Sequence, residues 1–173
     1  MNNTSQHLLL VSAFDAGYGV VAAARRCGKT TALFKAAEQH FHKNKTPSPC
    51  PRVLFVRGFD SRDNVNAPSW GARFAMTTID AGCPIDWSDF DLVLVDEVFE
   101  IALQHRAWLK KLHAQAKHFM SIGTFRGSSN IDKAIEPHDE LEAISRLLGV
   151  SCVSIYTSFC YSSQTPEIHA DDD

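Results

Sequence analysis

The feature that most constrains this chain is a series of short apolar runs, each separated from the next by a stretch of helical character, along 173 residues. Runs of this length that are apolar at nearly every position suit strands buried on both faces, and such strands need helices over both faces of their sheet. Tyr18–Ala24, Arg52–Arg57, the segment DLVLVDE from Asp91, His118–Thr124 and Val150–Tyr156 are the expected strands. The expected helices are Ser5–Phe14, capped by Thr4 or Ser5, then Thr30–His42, Ile101–Lys117 and His138–Leu148. Strands and helices in alternation predict an α/β fold of three layers around a mostly parallel sheet of about five strands.

Between these elements the signals are weaker. Three prolines in NKTPSPCP, Asn44–Pro51, end the second helix because each lacks a donor and fixes its own torsion. Phe59–Trp70 is polar and turn-rich, with a helix start near Ser69 and a short strand around Ala75–Ile79. One domain over residues 1–160 is expected, followed by a disordered acidic tail, 161–173.

The longest apolar stretches, His7–Phe14 and Phe90–Phe99, fall far short of the roughly 20 residues that span a bilayer, so no membrane helix is expected. The opening MNNTSQH lacks a basic leader, and the cytoplasm is the expected compartment, or host cytoplasm or nucleus for a viral protein. Five cysteines form no CxxC pair, so reduced thiols are expected, and the wide Cys152–Cys160 spacing is unlike a zinc knuckle. The net charge of −3 is unevenly distributed: Arg25–Arg73 holds ten bases against three acids, and from Asp80 onward sixteen acids face seven bases. A basic first half suits phosphates, those of a nucleotide or of a nucleic-acid backbone.

The chemistry-bearing segment is AAARRCGKTTAL, Ala22–Leu33. It follows a strand signal and opens a helix, which is the context of a G-x-x-x-x-G-K-[ST] phosphate loop, with Ala23 in place of the first glycine. In that geometry backbone N–H groups from Arg26, Cys27, Gly28, Lys29, Thr30 and Thr31 cradle phosphate at a helix N-terminus. Lys29 would reach the β- and γ-phosphates and the Thr30 hydroxyl would ligate magnesium. Arg25 either forks onto the γ-phosphate in cis or faces a partner, and Arg26 has the same alternatives.

Sixty-seven residues beyond Lys29, the run LVLV delivers Asp96 and Glu97 to the end of a strand. An acidic pair there suits a divide in which Asp96 receives magnesium and Glu97 orients or deprotonates a nucleophile. Asp80, Asp86, Asp89 and Asp91 read as solvated loop charges, and Glu100 as a surface residue at a helix start. Thr124, ending the next strand in SIGTFRGSS, stands where a polar group can sense the terminal phosphate. Ser121 is a spectator, and Arg126 either a solvated loop residue or a second phosphate contact.

Together these residues resemble the ATPase of viral terminase large subunits and related packaging motors, and more broadly superfamily 1 and 2 helicases. ARRCGKTT, Ala24–Thr31, is similar to the terminase variant of the loop, in which an arginine occurs inside it; Asp96–Glu97 matches the acidic pair, and Gly123–Thr124 approaches the coupling motif. The resemblance implies magnesium-dependent ATP hydrolysis with Arg25, Lys29, Glu97 and Thr124 in catalysis, coupled to translocation, packaging or remodelling of DNA or RNA. Those families carry a nuclease or second motor domain, so the expectation is a reduced ATPase, a homo-oligomer or a subunit of a larger motor. GKTT, RVLFVRG, VDE and IGTF also resemble thymidine kinases, which implies a nucleoside acceptor instead of water. A third reading is a nucleotide-gated interaction protein with Phe59–Trp70 as its switch.

Overall fold

The structure is a computed structural model, and it describes residues 3–24, 27–44, 51–57, 73–78, 89–124, 137–156 and 159–163. Among the described residues seven strands form one sheet, in the order β3-β2-β4-β5-β1-β6-β7. Its strands are β1 (Val20–Ala23), β2 (Arg52–Arg57), β3 (Arg73–Thr78), β4 (Leu92–Asp96), β5 (Phe119–Gly123), β6 (Cys152–Tyr156) and β7 (Phe159–Ser163). Every pairing is parallel except β6 with β7. The five expected strands are present, the short signal near Ala75 becomes the edge strand β3, and the antiparallel β7 is an addition.

The helices are α1 (Asn3–Asp15), α2 (Lys29–Asn44), α3 (Val98–Gln104), α4 (Arg106–Gln115) and α5 (Pro137–Leu148). Strand side chains alternate between two cores, as a pleat requires. Val21, Val53, Phe55, Leu92, Leu94 and Ile122 face α1 and α2, where Leu10, Phe14, Leu33 and Ala37 meet them. Val20, Leu54, Val56, Val93 and Val95 face the opposite layer, against Ile101, Leu109, Leu112, Leu141 and Ile144. These three layers are a P-loop-like α/β architecture, and both faces of the sheet are covered as the apolar runs demand.

Two helix expectations are corrected. The single helix expected over Ile101–Lys117 is two, because His105 leaves helical geometry (φ −134°, ψ 43°) after its N–H closes the last turn onto Ile101. Ile101 from α3 and Leu109 and Leu112 from α4 all reach the same core. At the N-terminus α1 already begins at Asn3, so Thr4 and Ser5 lie within the helix. Its apolar side is also narrower than Leu8–Val11 suggests: Leu8 is 62% exposed, while Leu10 and Val11 are buried. No helix among the described residues is long and apolar enough to cross a membrane.

Candidate functional site

The parallel strands run in one direction, so their carboxyl ends share one edge of the sheet, and Ala23, Asp96 and Gly123 end three of them. In open α/β sheets such an edge is where ligands bind, in the crevice outside the strand ends. The central placement of β5 is decisive for the local geometry. It pairs with β4 on one side, Asp96 opposite Ile122, and with β1 on the other, Ala22 opposite Gly123. Thr124, the first residue past β5, therefore emerges between the acidic pair and the loop that follows β1.

That loop turns into α2 at Gly28, whose φ of +75° lies in the left-handed region that favours glycine. The Gly28 carbonyl accepts the first helical bond from Ala32 N–H at 2.9 Å. Lys29, only 8% exposed, folds back so that Nζ donates to the Ala24 carbonyl at 3.2 Å and lies 3.4 Å from Glu97 Oε1. The Thr30 hydroxyl donates to Asp96 Oδ2 at 2.7 Å, joining the start of α2 to the end of β4. Cys27 is buried with Sγ donating to the Ala24 carbonyl at 2.9 Å, and burial pushes its thiol up in spite of the nearby Lys29 charge. A raised pKa makes it a structural thiol, a poor nucleophile. Thr31 is exposed on the first turn of α2.

Asp96 is 5% exposed, and its second oxygen, Oδ1, accepts the Glu97 N–H at 3.1 Å. Burial raises its carboxyl above the ordinary value, and the Glu97 charge adds to this; the Thr30 hydroxyl and the charges of Lys29 and Arg57 oppose it. Glu97 adopts the left-handed conformation (φ 56°, ψ 47°), costly for a residue with a β-carbon. Its carboxylate is held where that turn aims it: Oε2 accepts the Thr124 N–H at 2.9 Å, and Oε1 accepts the Thr124 hydroxyl at 3.2 Å. A strained residue fixed by this many contacts marks a site whose geometry matters.

Lys29, Thr30, Asp96, Glu97 and Thr124 are thus brought together by three separate segments at one sheet edge. Arg25, Arg26 and Arg126 lie outside the described residues, as do Asp80 and Asp86. Asp91 is not part of the site. It sits at the entry to β4, accepting the Arg52 N–H and pairing with Lys117. Partial burial pushes its carboxyl up, but those donors and the Lys117 and Arg52 charges together hold it below the ordinary value. Ser121 is fully buried and donates to the Gly19 carbonyl, a structural bond between β5 and the start of β1.

Two residues of this edge carry no signal in the motifs. Arg57 is buried at the end of β2, one residue beyond Val56, which pairs with Val95; its charge reaches Asp96. The clue was a cation closing the apolar run RVLFV, as an acidic pair closes LVLV. His7, from α1, lies against Gly28: its Cδ2 is 4.0 Å from where a β-carbon on that glycine would stand.

Thr30 and Asp96 are the described residues that could hold a divalent cation. A hydroxyl and a carboxylate, both hard oxygen donors, converge from Thr30 and Asp96, and Lys29 with the turn at Gly28 offers an ammonium group beside a helix N-terminus. Among the described residues no group of three or more His, Cys, Asp and Glu gathers as an all-protein metal cage.

No protein-family model and no curated protein matches the sequence. Among solved structures, the fold is similar to the Hef helicase domain of Pyrococcus furiosus, with a TM-score of 0.54 and 14% sequence identity. The match takes in 90% of this chain and 38% of that one, so the chain spans well under half the length of the helicase domain it resembles. At this identity the likeness is one of fold: the chain has a P-loop- and helicase-like α/β architecture.

Proposed function

We propose that this protein is a magnesium-dependent nucleoside triphosphatase, acting on ATP, whose turnover is coupled to a nucleic acid. The observation that carries the reading is the fixed carboxylate of Glu97 beside Lys29 and one residue from Asp96. Lys29 would neutralise the β- and γ-phosphates, and Thr30 and Asp96 would hold magnesium, which supplies charge neutralisation for the phosphates when bound. Glu97 would take the proton of the attacking water, with Thr124 fixing the carboxylate toward it. Arg25 is proposed to add a cation to the terminal phosphate and Arg26 to contact the same chain. The helicase-domain likeness and the basic Arg25–Arg73 stretch support a polynucleotide as effector. The working form is proposed to be a homo-oligomer or a subunit of a larger motor.

The test is a labelled-ATP assay with magnesium and, in separate reactions, single-stranded DNA, duplex DNA, RNA and the common nucleosides. Phosphate release stimulated by a polymer, with stimulation falling as salt rises, is the expected result. Labelled nucleoside monophosphate formed in step with ADP would replace this reading with a nucleoside kinase. Lys29→Ala should abolish both turnover and measurable ATP binding in calorimetry while the fold persists.

A further inference from the structure

The chemistry proposed above sits at the carboxyl edge of the sheet and leaves a polymer effector without a surface. From Asp80 onward the chain is acidic, yet four of the seven bases there, Arg106, Lys110, Lys111 and Lys117, fall within twelve residues. No acid occurs anywhere from Ile101 to Ile131. The four bases belong to α4 and the turn that follows it.

Leu109 and Leu112 bury one side of α4 in the core, and the other side faces solvent with Arg106, Lys110 and Lys111 exposed. Arg106 and Lys110 are four residues apart, so they share one face with a rise of about 6 Å between them. Neither forms an ion pair among the described residues. Lys117 differs, since its ammonium is engaged by Asp91 at 3.1 Å. Arg106 opens the helix, where the axial dipole disfavours a cation, and no acid in the first turn balances it. Like charges at i and i+4 repel as well. Two unfavourable placements without a compensating contact mark a surface that serves something other than folding.

A nucleic-acid backbone presents acceptors and negative charge only, which exposed Arg and Lys match as donors. A protein partner's surface mixes both signs, and an acid-free stretch offers nothing to its bases. Position supports the same occupant: α3, seven residues long, is all that separates α4 from Glu97, the carboxylate proposed to act on water.

We propose that the exposed face of α4, centred on Arg106 and Lys110, is a sequence-independent docking surface for the sugar–phosphate backbone of a nucleic acid. The assignment rests on the polynucleotide-coupled reading above and adds the place where the polymer is held.

Fluorescence anisotropy of labelled single-stranded DNA, RNA and duplex DNA, titrated with the full chain over a range of salt, tests it. The double variant Arg106→Gln/Lys110→Gln should bind at least about tenfold more weakly at low salt. Its plot of log affinity against log salt should be shallower by roughly 1.5–2, the share of two phosphate contacts. Its melting temperature should hold or rise, because a repelling pair is gone. Lys43→Gln/Arg146→Gln removes the same charge from two exposed cations already paired with Asp15 and Glu142, and should weaken binding far less. Unchanged affinity in the α4 variant, or an equal loss in the second variant, would overturn the proposal while polymer binding by wild type leaves the reading above standing. A fall in melting temperature alongside the lost binding would overturn it too, by assigning the pair to the fold. Polyglutamate that displaces the labelled polymer as well as unlabelled DNA does would replace it with an acidic protein partner. A wild-type chain that binds none of the polymers would remove the polymer from both readings, and magnesium-dependent ATP turnover would then keep the nucleotide site alone.

Discussion

The Thr30 hydroxyl and the Asp96 carboxylate, 66 residues apart in sequence, are joined by a 2.7 Å hydrogen bond between the first turn of α2 and the last residue of β4. The bond ties α2 to β4 across the intervening β5. It also holds together the two oxygen donors proposed for magnesium.

Thr30→Ala removes one of those donors and leaves a buried carboxylate oxygen without its hydrogen bond. Magnesium-dependent ATP affinity should fall at least about tenfold, with stability lowered by about 1–2 kcal/mol. Thr30→Ser keeps the hydroxyl and should retain most of both. Titrating magnesium at fixed ATP on the three proteins, with a urea melt of each, reads the two effects separately; a silent Thr30→Ala in the magnesium titration would take Thr30 out of the metal site.

Glu97→Gln should slow turnover at least about tenfold, since an amide cannot take the proton of a nucleophile. The Lys29 Nζ to Glu97 Oε1 contact at 3.4 Å adds a second expectation. Phosphates must compete with Glu97 for Lys29, so the amide should bind ATP more tightly than wild type. Single-turnover rates and equilibrium affinities on the same preparation check both, and unchanged turnover would remove Glu97 from catalysis.

Gly123→Ala tests the packing under the site. A β-carbon there would stand 2.6 Å from Phe99 Cδ2 and 3.1 Å from the Val98 backbone nitrogen, so the start of α3 would have to move away from β5. Overpacking of this kind costs about 1–3 kcal/mol. Because α3 follows directly on Glu97, the substitution should also lower turnover more than ATP affinity. Thermal melts beside steady-state kinetics would show both, and a fully stable, fully active variant would contradict the close approach.

His40 and His118 meet edge to face with ring centroids 4.6 Å apart at the C-terminal end of α2. Burial, aided by the His118 charge, holds His40 below its ordinary value of 6.5, and burial does the same to His113. Protons therefore bind the unfolded chain more readily than the folded one. The stabilisation from neutral imidazoles is fully present above 6.5 and is lost as pH falls through the folded value. Melting temperature should drop from pH 7.5 toward pH 5, and His40→Asn should make that drop shallower; an identical slope would show that His40 does not set it.

Sequence alone determined six of the seven strands, the presence of helices between them though not the division of α3 from α4, and the order of Gly28-Lys29-Thr30 and Asp96-Glu97. These are local properties: an apolar run such as LVLV specifies a buried strand wherever it is placed, and a glycine before a lysine at a helix start specifies a turn. The tertiary structure decided which of these meet. The insertion of β5 between β4 and β1 sets Thr124 on Glu97, and no spacing along the chain encodes strand order. The same applies to Arg57, which is near Asp96 only because β2 pairs with β4, and to His7, brought to Gly28 by the reversal between α1 and β1. The left-handed turn at Glu97 was equally invisible, because it is a local cost offset by contacts with Thr124, 27 residues away. Periodicity records what a residue buries; only the folded chain decides what it faces.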